Sequence, residues 1–328
     1  MFIRHSVLVV TYNQENLLPR ALESVLSQSV LPFEIIIGDD CSTDHTWDVI
    51  LKYQNEYPSI IKPYRNETNL GVFGNFNQIL AKPTGDIVSC VSGDDYLEPG
   101  IFEEYNRIIE DNNIDIIKEK FIIIANSVSE MPDGTRFVND NRQFEGKDLF
   151  KVKIRYGLDF RETGFSINVV KQLSPIPLNL GYHADWLFAI DQIMKSEHFY
   201  YTSKAFPVYC VGIGVATKTK STLMKQSFVK VISEIERIYS ARLDDKDALY
   251  LSFVKRINIL EIGDKSSIIS LLKDYFTIRK DDYLRENELK VFRYRLIKII
   301  LRRLYLDKLA HNIYSIINKY RKHHENSL

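Results

Sequence analysis

Apolar and polar positions follow a repeating order over the first hundred residues. A short continuous apolar run is followed by a polar break, and then by apolar positions at helical spacing. Ser6–Val10 (SVLVV) is the first run, the pattern of a strand buried on both faces. Asn13-Gln14-Glu15 breaks it, and Leu17, Leu18, Ala21, Leu22, Val25 and Leu26 then recur with helical period. Phe33–Ile37 (FEIII) is a second buried strand that ends in Gly38-Asp39-Asp40. Ser42 or Asp44 can cap the next helix, which carries Trp47, Ile50 and Leu51 on one side. Ile60–Tyr64 reads as a third strand, a helix follows near Asn75–Ala81, and Ile87–Val91 is a fourth strand. Strand–helix alternation with continuous apolar strands predicts an α/β fold, a mostly parallel sheet flanked by helices.

Beyond this point the pattern loosens. Pro99 suits the first turn of a helix continuing through Ile101–Ile109. Ile114–Ile117, Phe121–Ala125 and Gly164–Val170 read as strands, and MPDGT is turn chemistry. Ala184–Met194 is a helix, and Val208–Val215 is extended. From Ser221 the pattern is almost wholly helical. A boundary near residues 214–221 then divides a domain over 1–215, with halves of about 1–100 and 101–215, from a helical region over 216–328.

Charge changes the picture at one end only. Lys+Arg and Asp+Glu balance at 43 each, which argues against a dedicated nucleic-acid binder. Yet residues 285–322 hold 11 basic and 3 acidic side chains, so the tail is basic. Arg295, Lys298 and Arg302 share one helical stripe, with Phe292, Leu296, Ile299 and Ile300 towards the other side. Such a stripe fits peripheral contact with an anionic inner membrane surface or packing on the body equally well. Three cysteines in no metal-ligand or disulfide spacing point to a reducing compartment. MFIRHSVLVV is too short for a signal peptide, and no run of 18 apolar residues exists. A cytoplasmic protein, in solution or at the membrane surface, is the expectation.

Chemistry concentrates at strand ends. In open parallel sheets, ligands bind outside the carboxyl ends of the strands. Three such ends carry polar groups here: Thr11-Tyr12-Asn13, Asp39-Asp40 and Ser92-Gly93-Asp94-Asp95. Alone, each acidic pair reads equally as a functional site or as a mere loop or helix cap. Together they form a carboxylate set able to accept base or ribose hydrogen bonds and to hold a divalent cation on a diphosphate. Mg²⁺ favours one or two carboxylates plus phosphate oxygens and water. Dinucleotide binding through a glycine-rich turn is excluded, because TYNQEN after the first strand has no glycine.

The stretch VLVVTYNQENLLPRALESVLSQSVLPFEIIIGDDCSTDHT, with Asn69-Leu70-Gly71, Gly85-Asp86-Ile87-Val88 and SGDDYLEPG, resembles the family 2 inverting glycosyltransferases of GT-A (Rossmann-like) fold. The resemblance is strong over Val7–Gly100, weaker to Val215 and absent beyond. It implies transfer of a sugar from a nucleotide-sugar donor, UDP-linked, to a glycan or lipid-linked acceptor, with Mg²⁺ or Mn²⁺ as cofactor. Thr11, Tyr12 and Glu15 would frame the base and ribose, Asp40 the uracil edge and Asp39 the ribose side. Asp94 would hold the metal, and Asp95 would lie by the donor sugar. Asp185 in HADWLF takes the place of the catalytic base; as a null alternative it is only a first-turn carboxylate favoured by the helix dipole. Ser166 would lie on the acceptor side, and Trp186 reads first as a packing residue, with stacking on an acceptor sugar as the alternative. The chain departs from the family pattern at Ser92, Phe76, Ala184, Cys210 and Gly212, where many relatives carry acidic or cationic groups. Lys218 and Lys220 are cations that could stand in for them. A degraded relative that binds nucleotide or a partner without turnover is the alternative reading.

Overall fold

The computed structural model describes residues 2–156, 163–214, 220–263, 268–279 and 286–303. Strands and helices alternate as β1 (His5–Thr11), α1 (Leu18–Leu26), β2 (Glu34–Asp39), α2 (Thr46–Glu56), β3 (Ile61–Arg65), α3 (Val72–Leu80) and β4 (Ile87–Ser92). Every residue of β2 and all but Val10 of β1 are buried, so both strands are covered on two faces. The covering side chains include Leu18, Ala21, Leu22 and Val25 of α1. Pro19 starts that helix, where a missing N–H leaves nothing unsatisfied.

The chain continues through β5 (Tyr96–Leu97), α4 (Ile101–Asp111), β6 (Phe121–Glu130), β7 (Arg136–Asn139), α5 (Leu149–Tyr156), β8 (Thr163–Ser166), α6 (Ile167–Val170), α7 (Ala184–Lys195) and β9 (His198–Cys210). One nine-stranded sheet runs β3-β2-β1-β4-β8-β6-β9-β5, with β7 beside β6. The α/β class holds, but the sheet is mixed. The pairs β1–β2, β1–β4, β2–β3 and β6–β9 are parallel. The pairs β4–β8, β6–β8, β6–β7 and β5–β9 are antiparallel. The parallel half is the half whose strands alternate with crossover helices. A tight turn at MPDGT joins β6 to β7 and forces an antiparallel pair.

Two expected strands differ. Residues 114–117 form a turn instead, in which the Asp115 carboxylate accepts the backbone N–H of Ile117 at 3.1 Å. Ile114 and Ile116 are buried all the same, which is why their apolarity mimics a strand. The stretch 164–170 is strand only to Ser166 and then one turn of helix. The strand β9 ends at Cys210, where Val211–Ile213 turn; Val215 lies outside the described residues.

The chain divides into two compact units, Met1–Lys153 with Gly157–Lys220, and Ile154–Tyr156 with Ser221–Leu328. The second unit is helical: α8 (Ser221–Tyr239), α9 (Asp245–Ile262), α10 (Ile268–Ile278) and α11 (Glu286–Arg303). Asp244 and Asp247 form a reciprocal capping box that starts α9. The fully buried Arg155 guanidinium donates to Asp247 Oδ1 at 2.7 and 2.9 Å. The apolar face of α11 packs within this unit, with Phe292, Leu296 and Ile299 buried and Phe292 edge-on to Phe253. Arg295 is held by Glu261 and Asn258. The apolar side opposite the basic stripe thus packs within its own unit at Phe292, Leu296 and Ile299. The chain beyond Arg303, with the rest of the basic tail, is outside them, as is Lys218. None of the described helices is long and apolar enough to cross a membrane.

Candidate functional site

The order β3-β2-β1-β4 puts a topological switch beside β1, because the chain leaves it in one direction for β2 and β3 and returns on the other side as β4. Polar residues ending these strands therefore become neighbours. Thr11 pairs with Asp39 across β1–β2, and Val10 pairs with Ser92 across β1–β4. The backbone N–H of Asp40 donates to the Thr11 carbonyl at 3.1 Å, and that of Gly93 donates to the Val10 carbonyl at 2.9 Å. The structure thus brings Thr11, Asp39, Asp40 and the Asp94 turn together at one sheet end.

Gly93 is required by this closeness. A Cβ there would lie 2.9 Å from Thr11 Oγ1 and 2.4 Å from Gln14 Oε1. Thr11 itself is buried and donates its hydroxyl to Gln14 Oε1 at 2.8 Å. Tyr12, the next residue, is exposed and free to present its ring. Glu15 faces elsewhere, since its carboxylate accepts the N–H of His45 at the start of α2.

The carboxylates divide into engaged and open. Asp39 is fully buried, accepting the Ser42 hydroxyl and pairing with Arg65 Nε at 3.2 Å. Among the described residues Asp40 uses Oδ1 alone, which accepts Asn66 Nδ2 at 2.9 Å and the Leu70 N–H at 2.8 Å. Asp94 is almost buried, at 8% exposure, and its carboxylate has no hydrogen-bond or ion-pair partner among the described residues. A Cβ on Gly214 would lie 2.9 Å from Asp94 Oδ2, so a side chain there would displace that carboxylate. Asp95 Oδ1 accepts the N–H of Cys210 at 2.9 Å, which ties the turn to the end of β9. Burial pushes the Cys210 thiol up, so the sulfur is neutral, while Arg20 acts in the opposite direction. No group of three or more His, Cys, Asp or Glu side chains is arranged to hold a metal among the described residues.

Asp185 is exposed in the first turn of α7. Its helix is anchored to α3 by Phe188, edge-on to Phe76 at 5.2 Å, and α3 sends Asn75 into the strand-end cluster. Burial also holds the neighbouring His183 imidazole below its ordinary value. The two acceptor-side expectations do not reach a surface. Ser166 is fully buried and its Oγ accepts the Phe121 N–H at 3.2 Å. Trp186 is nearly buried, donating Nε1 to the Lys153 carbonyl at 3.0 Å.

Sequence reasoning missed three supports. Asn75 is buried on α3 and donates to the Gly38 carbonyl at 2.7 Å and the Thr11 carbonyl at 3.4 Å. Asn66 bridges Asp40 and Asn75. Arg20 reaches from α1 to the Asp94 carbonyl. Only Asn75 left a signal, as a polar residue on an otherwise apolar helix face.

The profile of Glycosyl transferase family 2 matches residues 6–169, half of the chain. The chain belongs to this family. Its relatives are similar over short stretches. An uncharacterized protein of Mycobacterium tuberculosis is 38% identical over 92 residues, 28% of this chain and 27% of its own length. Staphylococcus aureus TarS, a poly(ribitol-phosphate) beta-N-acetylglucosaminyltransferase, is 32% identical over 118 residues, 35% of this chain and 20% of TarS. The chain therefore spans only a minor part of these relatives' length by sequence. The structure of TarS residues 1–349 with UDP-GlcNAc superposes with a TM-score of 0.61 at 18% identity, covering 95% of this chain and 92% of that one. The mannosyltransferase PcManGT of Pyrobaculum calidifontis, in complex with GDP-Man and Mn²⁺, gives 0.51 at 15% identity over 93% and 88%. At these identities the likeness establishes the fold, GT-A.

Proposed function

We propose that this chain is a metal-dependent, inverting glycosyltransferase that moves a sugar from a UDP-linked donor to a hydroxyl of a glycan or lipid-linked acceptor. Cell-surface polysaccharide or glycoconjugate synthesis is the setting this chemistry suits. The observation that carries the reading is the Asp94 carboxylate, almost buried at the switch point and without a protein donor among the described residues. A largely enclosed carboxylate that still opens to the crevice is placed to accept a cation. Such a group fits Mg²⁺ or Mn²⁺ shared with a diphosphate and water, because Mg²⁺ is commonly held by one or two carboxylates plus phosphate oxygens. Bound there, the ion would neutralise charge on the leaving diphosphate.

The remaining roles fall to side chains. Asp40 has an open Oδ2 suited to the N3–H of a uracil, and Tyr12 has an exposed ring suited to stacking on the base. Asp39, already neutralised by Arg65, shapes the ribose side. Asp95 orients the turn towards the donor sugar. Asp185 accepts the proton of the attacking acceptor hydroxyl, on the face opposite the diphosphate. Glu15 and Trp186 contribute by supporting the loop and α7. The choice of UDP draws on TarS, whose structure holds UDP-GlcNAc. A second reading, a binding module without turnover, draws on Ser92, Cys210 and Gly212.

Calorimetric titration of UDP with and without Mn²⁺ tests the site. Wild type should bind more tightly with the ion, and Asp94→Ala should lose that difference. Equal Mn²⁺ enhancement in both proteins would remove Asp94 from the metal edge.

A further inference from the structure

Arg20 lies partly exposed on α1, and its contacts serve no other part of that helix. Nη2 donates to the Asp94 carbonyl at 3.0 Å and to Cys210 Sγ at 2.9 Å. One guanidinium thus ties the turn after β4 to the end of β9. The Cys210 N–H holds Asp95 from the other side. The guanidinium also stacks over Tyr96, 4.7 Å from the ring centroid, and Tyr96 donates its hydroxyl to Glu130 at 2.7 Å. A plain ion pair does not explain the placement. Glu130 Oε1 is 4.0 Å from Nη1 in a partly exposed setting, where such pairs contribute little. The two directed donations are the shorter contacts, and both end on the Asp94–Asp95 turn or on the residue that braces it.

We propose that Arg20 is a positioning residue of the donor site, fixing the main chain of the Asp94–Asp95 turn so that the Asp94 carboxylate faces the cation of a nucleoside diphosphate. The inference rests on reading Asp94 as the metal edge. Ser92 leaves that edge with one carboxylate, so a displaced turn has no second ligand to compensate for it. Groups that orient a ligand from behind commonly change metal affinity about tenfold or more. The planar fork of arginine holds two acceptors at once in a way a flexible amine does not.

The test is UDP binding titrated with Mn²⁺, beside Mn²⁺-free UMP binding and thermal melting, for wild type, Arg20→Gln, Arg20→Lys and Asp94→Ala. Arg20→Gln should weaken Mn²⁺-dependent UDP binding about tenfold, leaving UMP binding and the melting temperature near wild type. Arg20→Lys should recover part of the loss. Unchanged Mn²⁺ dependence in Arg20→Gln, beside its loss in Asp94→Ala, would overturn the role of Arg20 and leave the site reading standing. Equal losses of UMP and UDP binding with a lower melting temperature would make Arg20 merely structural and overturn it as well. Mn²⁺ dependence retained in Asp94→Ala would overturn the site reading itself.

Discussion

Single residues carry the chemistry, and two of them make separable predictions. With Asp185 as the proposed base, acting on the acceptor proton and not on the donor, Asp185→Asn should keep UDP-sugar affinity while lowering turnover at least about a thousandfold. Comparable loss of affinity and turnover would return Asp185 to a helix-stabilising role. Cys41 follows the Asp39-Asp40 pair with a φ of +60°, a conformation that disfavours side chains bearing Cβ. Cys41→Gly removes that strain, at some cost in unfolded-chain entropy, so a gain of up to about 1 kcal/mol in a denaturant melt is expected. A loss of stability would show that the Cys41 thiol, 3.5 Å from the Glu67 carbonyl, matters more than the strain. The residues legible from sequence were those ending apolar runs, because a polar side chain after a buried strand must emerge at the sheet edge. Arg20 was not legible, since its partner Cys210 is 190 positions away and nothing local marks the contact.

At the scale of elements, the parallel half was readable and the other half was not. The strands β1, β2 and β4 are covered on both faces, so their sequence is continuously apolar. Ile114–Ile117 is equally apolar but folds as a turn, because Asp115 captures the backbone N–H groups that a ladder would need. Ser166 was expected on the acceptor side, yet β8 lies between β4 and β6 and its side chain is enclosed. The turn after β9 was read only as extended chain, although it brings Gly214 against Asp94. Gly214→Ala would push a methyl to 2.9 Å from Oδ2, so the carboxylate must move. The expected result is weaker Mn²⁺-dependent UDP binding with a melting temperature close to wild type. Unaltered binding would mean that the turn yields instead.

For the whole molecule, acid lability follows from a buried histidine. His5 lies against Phe102, its Nε2 hydrogen-bonds Asn106 Oδ1 at 2.7 Å, and burial pushes its pKa down to about 4. The unfolded chain holds the proton more tightly, near the ordinary value of about 6.5. Stability from the neutral ring is therefore complete above that value and is lost as pH falls towards 4, by roughly 3 kcal/mol in all. The Arg107 guanidinium holds Glu104 down to about 2, which adds a further loss at lower pH. Melting between pH 4 and 7 should show a positive slope that His5→Phe flattens; an unchanged slope would point to other groups. Across the whole molecule the proposed function requires turnover of a UDP-sugar with a divalent ion, with Asp94 as the proposed metal edge and Asp185 of α7 as the proposed base. The direct measurement is UDP release from a panel of UDP-sugars by the wild-type protein with Mn²⁺, with EDTA and after Asp94→Ala. Release from at least one donor, abolished by EDTA and by the substitution, is the predicted result. Tight UDP binding with no release from any donor would contradict it and leave a transferase fold retained for binding alone.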